Sequence, residues 1–456
     1  MDKKPNLLVI LSDQLRRHAL GCYGDPDARS PHIDKLSNDG VRFSNACSTY
    51  PICVPFRFTM MTGEYAHTRS VPGIEYRMSP KERTLADEFN EANYETIYIG
   101  KWHLDGGHGR LGSAKQTNRV PVPRSHQGRW KSWYGFELRN DPFDTSYFHN
   151  GDQRPIPIEG YQTDGLFDIS MQHLTERTDP QKPFCMLISV EPPHNPFEAP
   201  ADYQSPWEKR EIQLPPNFAT NDIETRDAFL INRKRYNAMV ENLDANVGRM
   251  RKFLKENSLD KNTVIVFLSD HGELGGAHGL KGKQWPYEES IGIPLVIYDP
   301  RISEKPKKII HEPTCTEDLF PTFLGLCGLE SKTILPGFNL THLLNETCSH
   351  LPREGVMLQY VAELRERFVF HDSVWRAFRT QRYKYVVRGD KNDSEPWMFF
   401  DLENDPYEGN NLVRNSQFNE EKKYLHKLLR NRLLETEDSF VLSSAWGIPS
   451  LNDWRN

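Results

Sequence analysis

Two aspartate pairs and one cysteine define the chemistry open to this chain. Asp13-Gln14 and Asp270-His271 together offer two carboxylates, an amide oxygen and an imidazole, a donor set suited to one divalent cation. Each pair alone is weak evidence, because an aspartate after a strand often caps a turn and Asp-His-Gly also suits a polar turn. Lys101, His103, His194 and Lys283 add the side-chain types that hold an anion and carry a proton. Arg57 follows Cys53 by one helical turn, so its guanidinium can reach back toward whatever Cys53 carries. Lys101 and His103 alternate around Trp102, which places both on one face of an extended segment and turns Trp102 toward packing. His194 is bracketed by Pro192, Pro193 and Pro196, which restrict its loop. Lys283 ends a glycine-rich run whose backbone can approach an anion closely. Taken singly, Arg57 reads as a solvated helix-start residue and His103 as a structural histidine. Their accumulation points to one anion site.

Elements must carry these residues to one place. The apolar run at residues 6–12 reads as a strand buried on both faces, which sets Asp13 at its carboxyl end. Ser30-Pro31, with Ile33 and Leu36 and a closing Gly40, reads as a capped helix. A helix at 84–92, a strand at 95–99 and a buried strand at 184–190 continue the β-then-α rhythm. Met239, Leu243, Val247, Met250 and Leu254 recur at helical spacing within residues 226–257, ahead of a strand at 263–269 that ends on Asp270. In open α/β sheets ligands bind outside the carboxyl ends of the strands, so these strand-end clusters converge on one crevice. Beyond about residue 346 the pattern changes to short runs at 374–379, 383–387 and 398–401 and a helix at 419–435, a small antiparallel sheet with one packed helix.

The run Pro51-Ile-Cys-Val-Pro-Phe-Arg-Phe-Thr-Met-Met-Thr-Gly63 resembles the signature of type I sulfatases, whose maturation oxidises that cysteine to formylglycine. The resemblance extends through Leu-Ser-Asp-Gln near the start, Gly100-Lys-Trp-His-Leu104, Pro193-His-Asn-Pro196, Ser269-Asp-His-Gly-Glu273, Gly282-Lys283, Tyr287-Glu-Glu-Ser290 and Asp401-Leu-Glu-Asn-Asp-Pro406, in the family's order. It implies an alkaline-phosphatase-like α/β fold. The expectation is a large, mixed, mostly parallel sheet sandwiched by helices over residues 1–345, with a smaller antiparallel-sheet-plus-helix domain over 346–456.

Carried over residue by residue, the resemblance makes Asp13, Gln14, Asp270 and His271 metal ligands, with the formylglycine at Cys53 completing the site. Calcium is the usual family ion. Gln14 stands where many members have a second aspartate and His271 where many have asparagine, which leaves magnesium or manganese open. The resemblance also implies that Lys101 binds sulfate and the aldehyde hydrate, that His103 is the base when sulfate is expelled, and that His194 and Lys283 bind the ester, one of them protonating the leaving oxygen. Arg57 holds the modified side chain and the metal-side oxygens. Tyr287-Glu-Glu-Ser290 is expected to be a helix bracing the site, and Gly292 stands where many members carry an arginine.

The expected activity is hydrolysis of a sulfate ester, on a sulfated sugar or other small molecule. A formylglycine-generating or anaerobic sulfatase-maturing enzyme is the implied transient partner. A phosphonate monoester or phosphodiester hydrolase is the rival within the superfamily, and a non-catalytic sulfoglycan binder is the rival outside catalysis. With 456 residues, 37% hydrophobic and 26% charged, the chain suits a large core divided into two units, and its 32 prolines imply long loops. A net charge of -6 gives no broad attraction to nucleic acid or to an anionic membrane. No apolar run reaches the length of a membrane span, and the first residues lack a leader pattern. The chain therefore reads as cytoplasmic as written, and as periplasmic or secreted if a leader has been removed. Seven scattered cysteines suit free thiols. Trp130, Trp133, Tyr134 and Trp285 are candidate sugar-stacking residues set against a plainer packing role. Residues 106–152 and 375–382 are the expected pocket-lining segments, and oligomeric state is left open.

Overall fold

The computed structural model describes residues 4–107, 109, 119–220, 222–302, 308–366 and 368–451. Its organising strand is β1 (Asn6–Ser12), wholly buried, as an uninterrupted apolar run requires. Leu7, Val9 and Leu11 enter the core on one side of the sheet, and Leu8 and Ile10 enter the core on the other.

The remaining strands of the large sheet are β2 (Val41–Phe43), β3 (Glu95–Lys101), β4 (Ser132–Phe136), β5 (Ser146–His149), β6 (Ile156–Pro157), β7 (Phe184–Ser189), β8 (Thr263–Ser269), β9 (Leu295–Tyr298) and β10 (Lys308–Ile310). They lie in the order β10-β2-β9-β8-β1-β7-β3-β4-β5-β6. The run β8-β1-β7-β3-β4 is parallel throughout, while β9, β5 and β6 join antiparallel. The sheet is thus mixed, with a parallel centre, as expected. β3 runs two residues beyond the expected 95–99 and so takes in Lys101.

Helices cover both faces. The helix Ile223–Glu256 lays Leu243, Val247, Met250 and Leu254 on one face, while Met239 packs with Trp207 in a satellite cluster. On the other face the helix Cys53–Thr62 is buried at every position, which suits its nearly all-round apolar sequence. The helix Pro31–Asp39 forms as read, but Ser30 does not cap it through its side chain. Its hydroxyl instead accepts from Gly21 N and donates to Asp34, and Asp244 accepts from the N–H groups of His32 and Ile33.

The second sheet is antiparallel, in the order β11 (Gly355–Tyr360), β12 (Val374–Thr380), β13 (Tyr383–Gly389) and β14 (Ser394–Asp401), with the helix Asn419–Glu435 against it. β11 had no sequence reading. The two sheets meet at Glu288, on the short helix Glu288–Ile291. Its carboxylate pairs with Arg17 at 3.0 Å, Arg379 at 3.0 Å and Lys384 at 3.3 Å. Three cations hold that carboxyl well below the usual range against the upward push of burial. All seven cysteines are unpaired. Among the described residues no helix is long and apolar enough to cross a membrane.

Candidate active site

Strand register assembles the site. Ser12 of β1 pairs with Ser269 of β8, so Asp13 and Asp270 leave the sheet side by side. On the other flank Leu11 pairs with Ser189, and Ser189 pairs with Gly100, which brings the end of β3 and Lys101 to the same edge. Gly100 has φ +101°, and a Cβ there would lie 2.0 Å from Ser189 O, so only glycine permits this approach.

Cys53, the first residue of its helix, faces that edge. Its sulfur lies 3.2 Å from His271 Nε2 and 3.6 Å from Asp13 Oδ1. Donor atoms of Asp13, Cys53, Asp270 and His271 all lie within 4.8 Å of one another. His271 Nδ1 donates to Gly272 O at 3.0 Å, which leaves the Nε2 lone pair facing Cys53 and both aspartates. Gln14 adds its amide oxygen, which accepts from Lys283 Nζ at 2.8 Å, while its amide nitrogen donates to Glu273. Two carboxylates, one imidazole lone pair and one oriented amide oxygen in a buried cluster fit a divalent cation.

Arg57 donates to Asp13 Oδ2 at 3.2 Å, Asp270 Oδ2 at 3.4 Å, Ser189 Oγ at 2.7 Å and Lys101 O at 3.0 Å. Its Nη2 therefore braces the two carboxylates, while its Nη1 anchors it to Ser189 and the Lys101 carbonyl. Lys101 Nζ sits 2.8 Å from Asp13 and 3.5 Å from Glu191. Glu191 is itself fixed by the N–H groups of Arg139 and Asn140 and by the Gln162 amide. Lys283 Nζ also reaches Cys53 Sγ at 3.4 Å.

Burial would raise Asp13, but Lys101, His194, Lys283 and Arg57 overcome it and hold the carboxyl well below its usual range. Asp270, with burial and then the Asp13 charge against it, is pushed up. Burial first, and the charge of Lys101 next, keeps His103 neutral. Burial and Lys283 push His194 down to about 3, and its Nδ1 donates to Asn195 O at 2.6 Å. The Cys53 thiol is raised to about 11 by burial and then by Asp13, which makes it a poor nucleophile as a thiol.

Cys53, Lys101, His103, His194 and Lys283 all line one cavity of about 830 Å³. Asp13, Gln14, Asp270 and His271 form the donor cluster beneath it, and Arg57 lies behind that cluster. His103 has φ +55°, and its Nδ1 is buried without a hydrogen-bond partner among the described residues. Trp102 packs edge-on against Tyr98 and Trp133, as alternation required.

Some expectations are corrected. Trp130 and Trp133 are fully buried core residues, and Tyr134 stacks on His149, so none of the three faces the cavity. Trp285 does line it. Residues 375–382 do not line the cavity: Trp375 is buried and donates to Gln284 O. Arg365, Phe368 and Val369 form that wall. Leu138 and Asn140 represent the 106–152 segment, of which residues 108 and 110–118 lie outside the described residues. Sequence reasoning also missed Glu191, Ser189 and the wall residues Thr225, Phe229 and Asn232. Glu273 was visible only as the last letter of Ser269-Asp-His-Gly-Glu273. At Gly292 the guanidinium carbon of Arg17 lies 3.3 Å from where a Cβ would sit, so a neighbouring arginine occupies that space.

The sulfatase family model matches residues 5–329, well over half of the chain. The chain belongs to the sulfatase family. A second model, the C-terminal region of N-sulphoglucosamine sulphohydrolase, matches residues 276–435 of this sulfatase. The ulvan-active sulfatase of Formosa agariphila is 30% identical to it over 441 residues, covering 96% of this chain and 82% of the relative. An arylsulfatase of Clostridium perfringens is 27% identical over 477 residues, covering 96% of each. The crystal structure of yidJ from Bacteroides fragilis superimposes with a TM-score of 0.86 at 27% identity, covering 96% of this chain and 97% of that one. The sulfatase is thus a sulfuric ester hydrolase of alkaline-phosphatase-like fold. Membership implies a divalent cation and a formylglycine.

Proposed function

We propose that this sulfatase removes sulfate from a sulfated sugar, with Cys53 in its formylglycine form as the nucleophile and one divalent cation held by Asp13, Gln14, Asp270 and His271. The observation that carries this reading is the meeting of Cys53 with two aspartates, His271 and Lys283 at the carboxyl ends of neighbouring strands. The ulvan-active relative supports a sugar substrate. Calcium is the proposed ion, and the single amide and imidazole donors keep magnesium and manganese as the competitors to test. The cation supplies polarisation of sulfate oxygens, and the formylglycine hydrate supplies a hydroxyl nucleophile.

The chain's own side chains do the rest. Lys101 and Lys283 hold the sulfate group from two sides and stabilise the negative charge that builds on it. Arg57 acts through Asp13 and Asp270, keeping both carboxylates oriented. Neutral His103, whose Nδ1 has no hydrogen-bond partner among the described residues, is placed to accept a proton. His194 is also neutral and its Nδ1 hydrogen is engaged by Asn195, which supports Lys283 as the donor to the leaving oxygen. A formylglycine-generating or anaerobic sulfatase-maturing enzyme supplies the modification. We divide the chain into a catalytic unit at 1–345 and a C-terminal unit at 346–456.

The test is mass spectrometry of the Cys53 peptide from protein made with a maturation enzyme, joined to parallel assays on sulfate esters, phosphodiesters and phosphonate monoesters. Formylglycine at position 53 with preferred sulfate release is the expected result. Full activity with unmodified cysteine overturns the nucleophile, and a strong preference for phosphorus overturns the substrate class.

A further inference from the structure

The cavity above Cys53 is lined by four cationic side chains, Lys101, Lys281, Lys283 and Arg365, and by no aspartate or glutamate among the described residues. Their surroundings differ. Lys101 is paired with Asp13. Arg365 is neutralised by Glu363 through two 2.7 Å bonds and lies 3.5 Å above the Phe368 ring. Lys283 is turned inward to Gln14 and Cys53. Lys281 is exposed at the cavity, and no carboxylate among the described residues is within ion-pair distance of it.

One residue, Gly282, separates Lys281 from Lys283, so their backbones lie at most about 7 Å apart, close to the width of one sugar ring. Gly279 and Gly282, at φ +70° and +78°, bracket Leu280-Lys281 in this wall. Trp285, Phe229, Phe368 and Val369 supply apolar faces around it. A cavity of about 830 Å³ is far larger than one sulfate group needs.

We propose that Lys281 holds a second anionic group of the substrate, so that preferred substrates are sugars carrying, besides the scissile sulfate, a carboxylate or a second sulfate on the same or the adjoining ring. The inference rests on the sulfatase reading of the inner end of the cavity. Lys101 and Lys283 receive the scissile group there, and Lys281 receives the outer anion. A neutral or singly charged sugar leaves Lys281 solvated and unused. A dianionic sugar neutralises it against a wall that carries no aspartate or glutamate among the described residues, which favours that substrate and makes its binding salt-dependent. Lys281 is a specificity residue that touches no reacting atom.

The experiment uses matured enzyme with glucose and glucuronic acid sulfated at O2, O3 or O4, and with the matching glucose disulfates. The wild type is expected to prefer the uronate sulfate or the disulfate, and the winning arm identifies the outer anion. Lys281→Met should lower kcat/KM on the preferred dianion roughly tenfold through KM, equivalent to about 1.4 kcal/mol. The same variant should leave the glucose monosulfate within about twofold and flatten the salt dependence. Lys281→Arg should retain the preference. Equal losses on both charge classes, no loss on either, or a wild type indifferent to the second anion would overturn the proposal. A wild type that releases sulfate from none of these sugars counts against the sulfatase reading instead. Titration of glucuronate onto unmodified wild-type and Lys281→Met protein then decides the outer contact, and equal affinity refutes it.

Discussion

Glu273 Oε2 accepts a 2.5 Å hydrogen bond from Gln14 Nε2, and this bond sets which end of the Gln14 amide faces the donor cluster. Glu273 is held in turn by the N–H groups of Gly275 and Gly282 at 2.9 and 2.7 Å. Glu273→Ala should let the amide rotate and lower cation affinity about 10–100-fold, the range for a lost partner of a ligand. Calorimetric titration of calcium, magnesium and manganese into metal-free protein measures it. An unchanged affinity for all three would remove Gln14 from the ligand set.

Arg57 lies between Asp13 and Asp270, and removing it takes away the ion-pair partner of Asp270 and leaves Asp13 with Lys101 alone. Arg57→Ala should destabilise metal-free protein by about 3–5 kcal/mol. Saturating divalent cation should restore more stability to the variant than it adds to the wild type, because the ion takes over the charge. Thermal unfolding with and without the ion reads both effects. Equal gains in the two proteins would argue against a shared role for Arg57 and the ion.

Lys101 Nζ sits 2.8 Å from Asp13 within the cavity. Lys101→Ala should cost on the order of 10²-fold in turnover on the best sulfate ester while the fold survives. Retained turnover in a folded variant, judged by circular dichroism, would show that this lysine does not hold the transferring group.

His426, on the helix Asn419–Glu435, is buried with Nδ1 3.1 Å from Tyr385 Oη and Nε2 without a partner among the described residues. Burial, and then Arg430, lowers it to about 4. The folded value lies below the unfolded value of about 6.5, so its stabilising share is complete above pH about 6.5 and is lost as pH falls through about 4. The melting temperature should fall over that window, and His426→Gln should flatten the fall. An identical pH profile in the variant would assign the loss to other groups.

Residues with contiguous motifs at strand ends were legible in the sequence, because a buried parallel strand fixes where its next residue emerges. Asp13, Lys101 and Asp270 follow that logic. Their supports were not legible. Glu191 and Ser189 act through contacts with Lys101 and Arg57 across strands, and no local pattern encodes such partners. Arg365 and Phe368 reach the cavity from an irregular segment without periodicity. Trp130 and Trp285 have the same composition-level signal, and only packing separates the core ring from the cavity ring. β11 was missed because its apolar run, Val356-Met357-Leu358, is only three residues long between Gly355 and Gln359, too short to stand out as a buried strand.

The helix Cys53–Thr62 is buried along its whole length, and the sheet beneath it closes only when β1, made first, receives β7 and β8 from some 170 and 250 residues further on. During synthesis the segment around Cys53 thus cannot reach its final burial until much of the chain has emerged. A modifying enzyme that required backbone access to that segment would find every residue of the helix buried in the finished fold. Under the proposed formylglycine chemistry, timing during biogenesis rather than reactivity in the finished protein would govern how much of the sulfatase becomes competent, and fast folding would compete directly with activation.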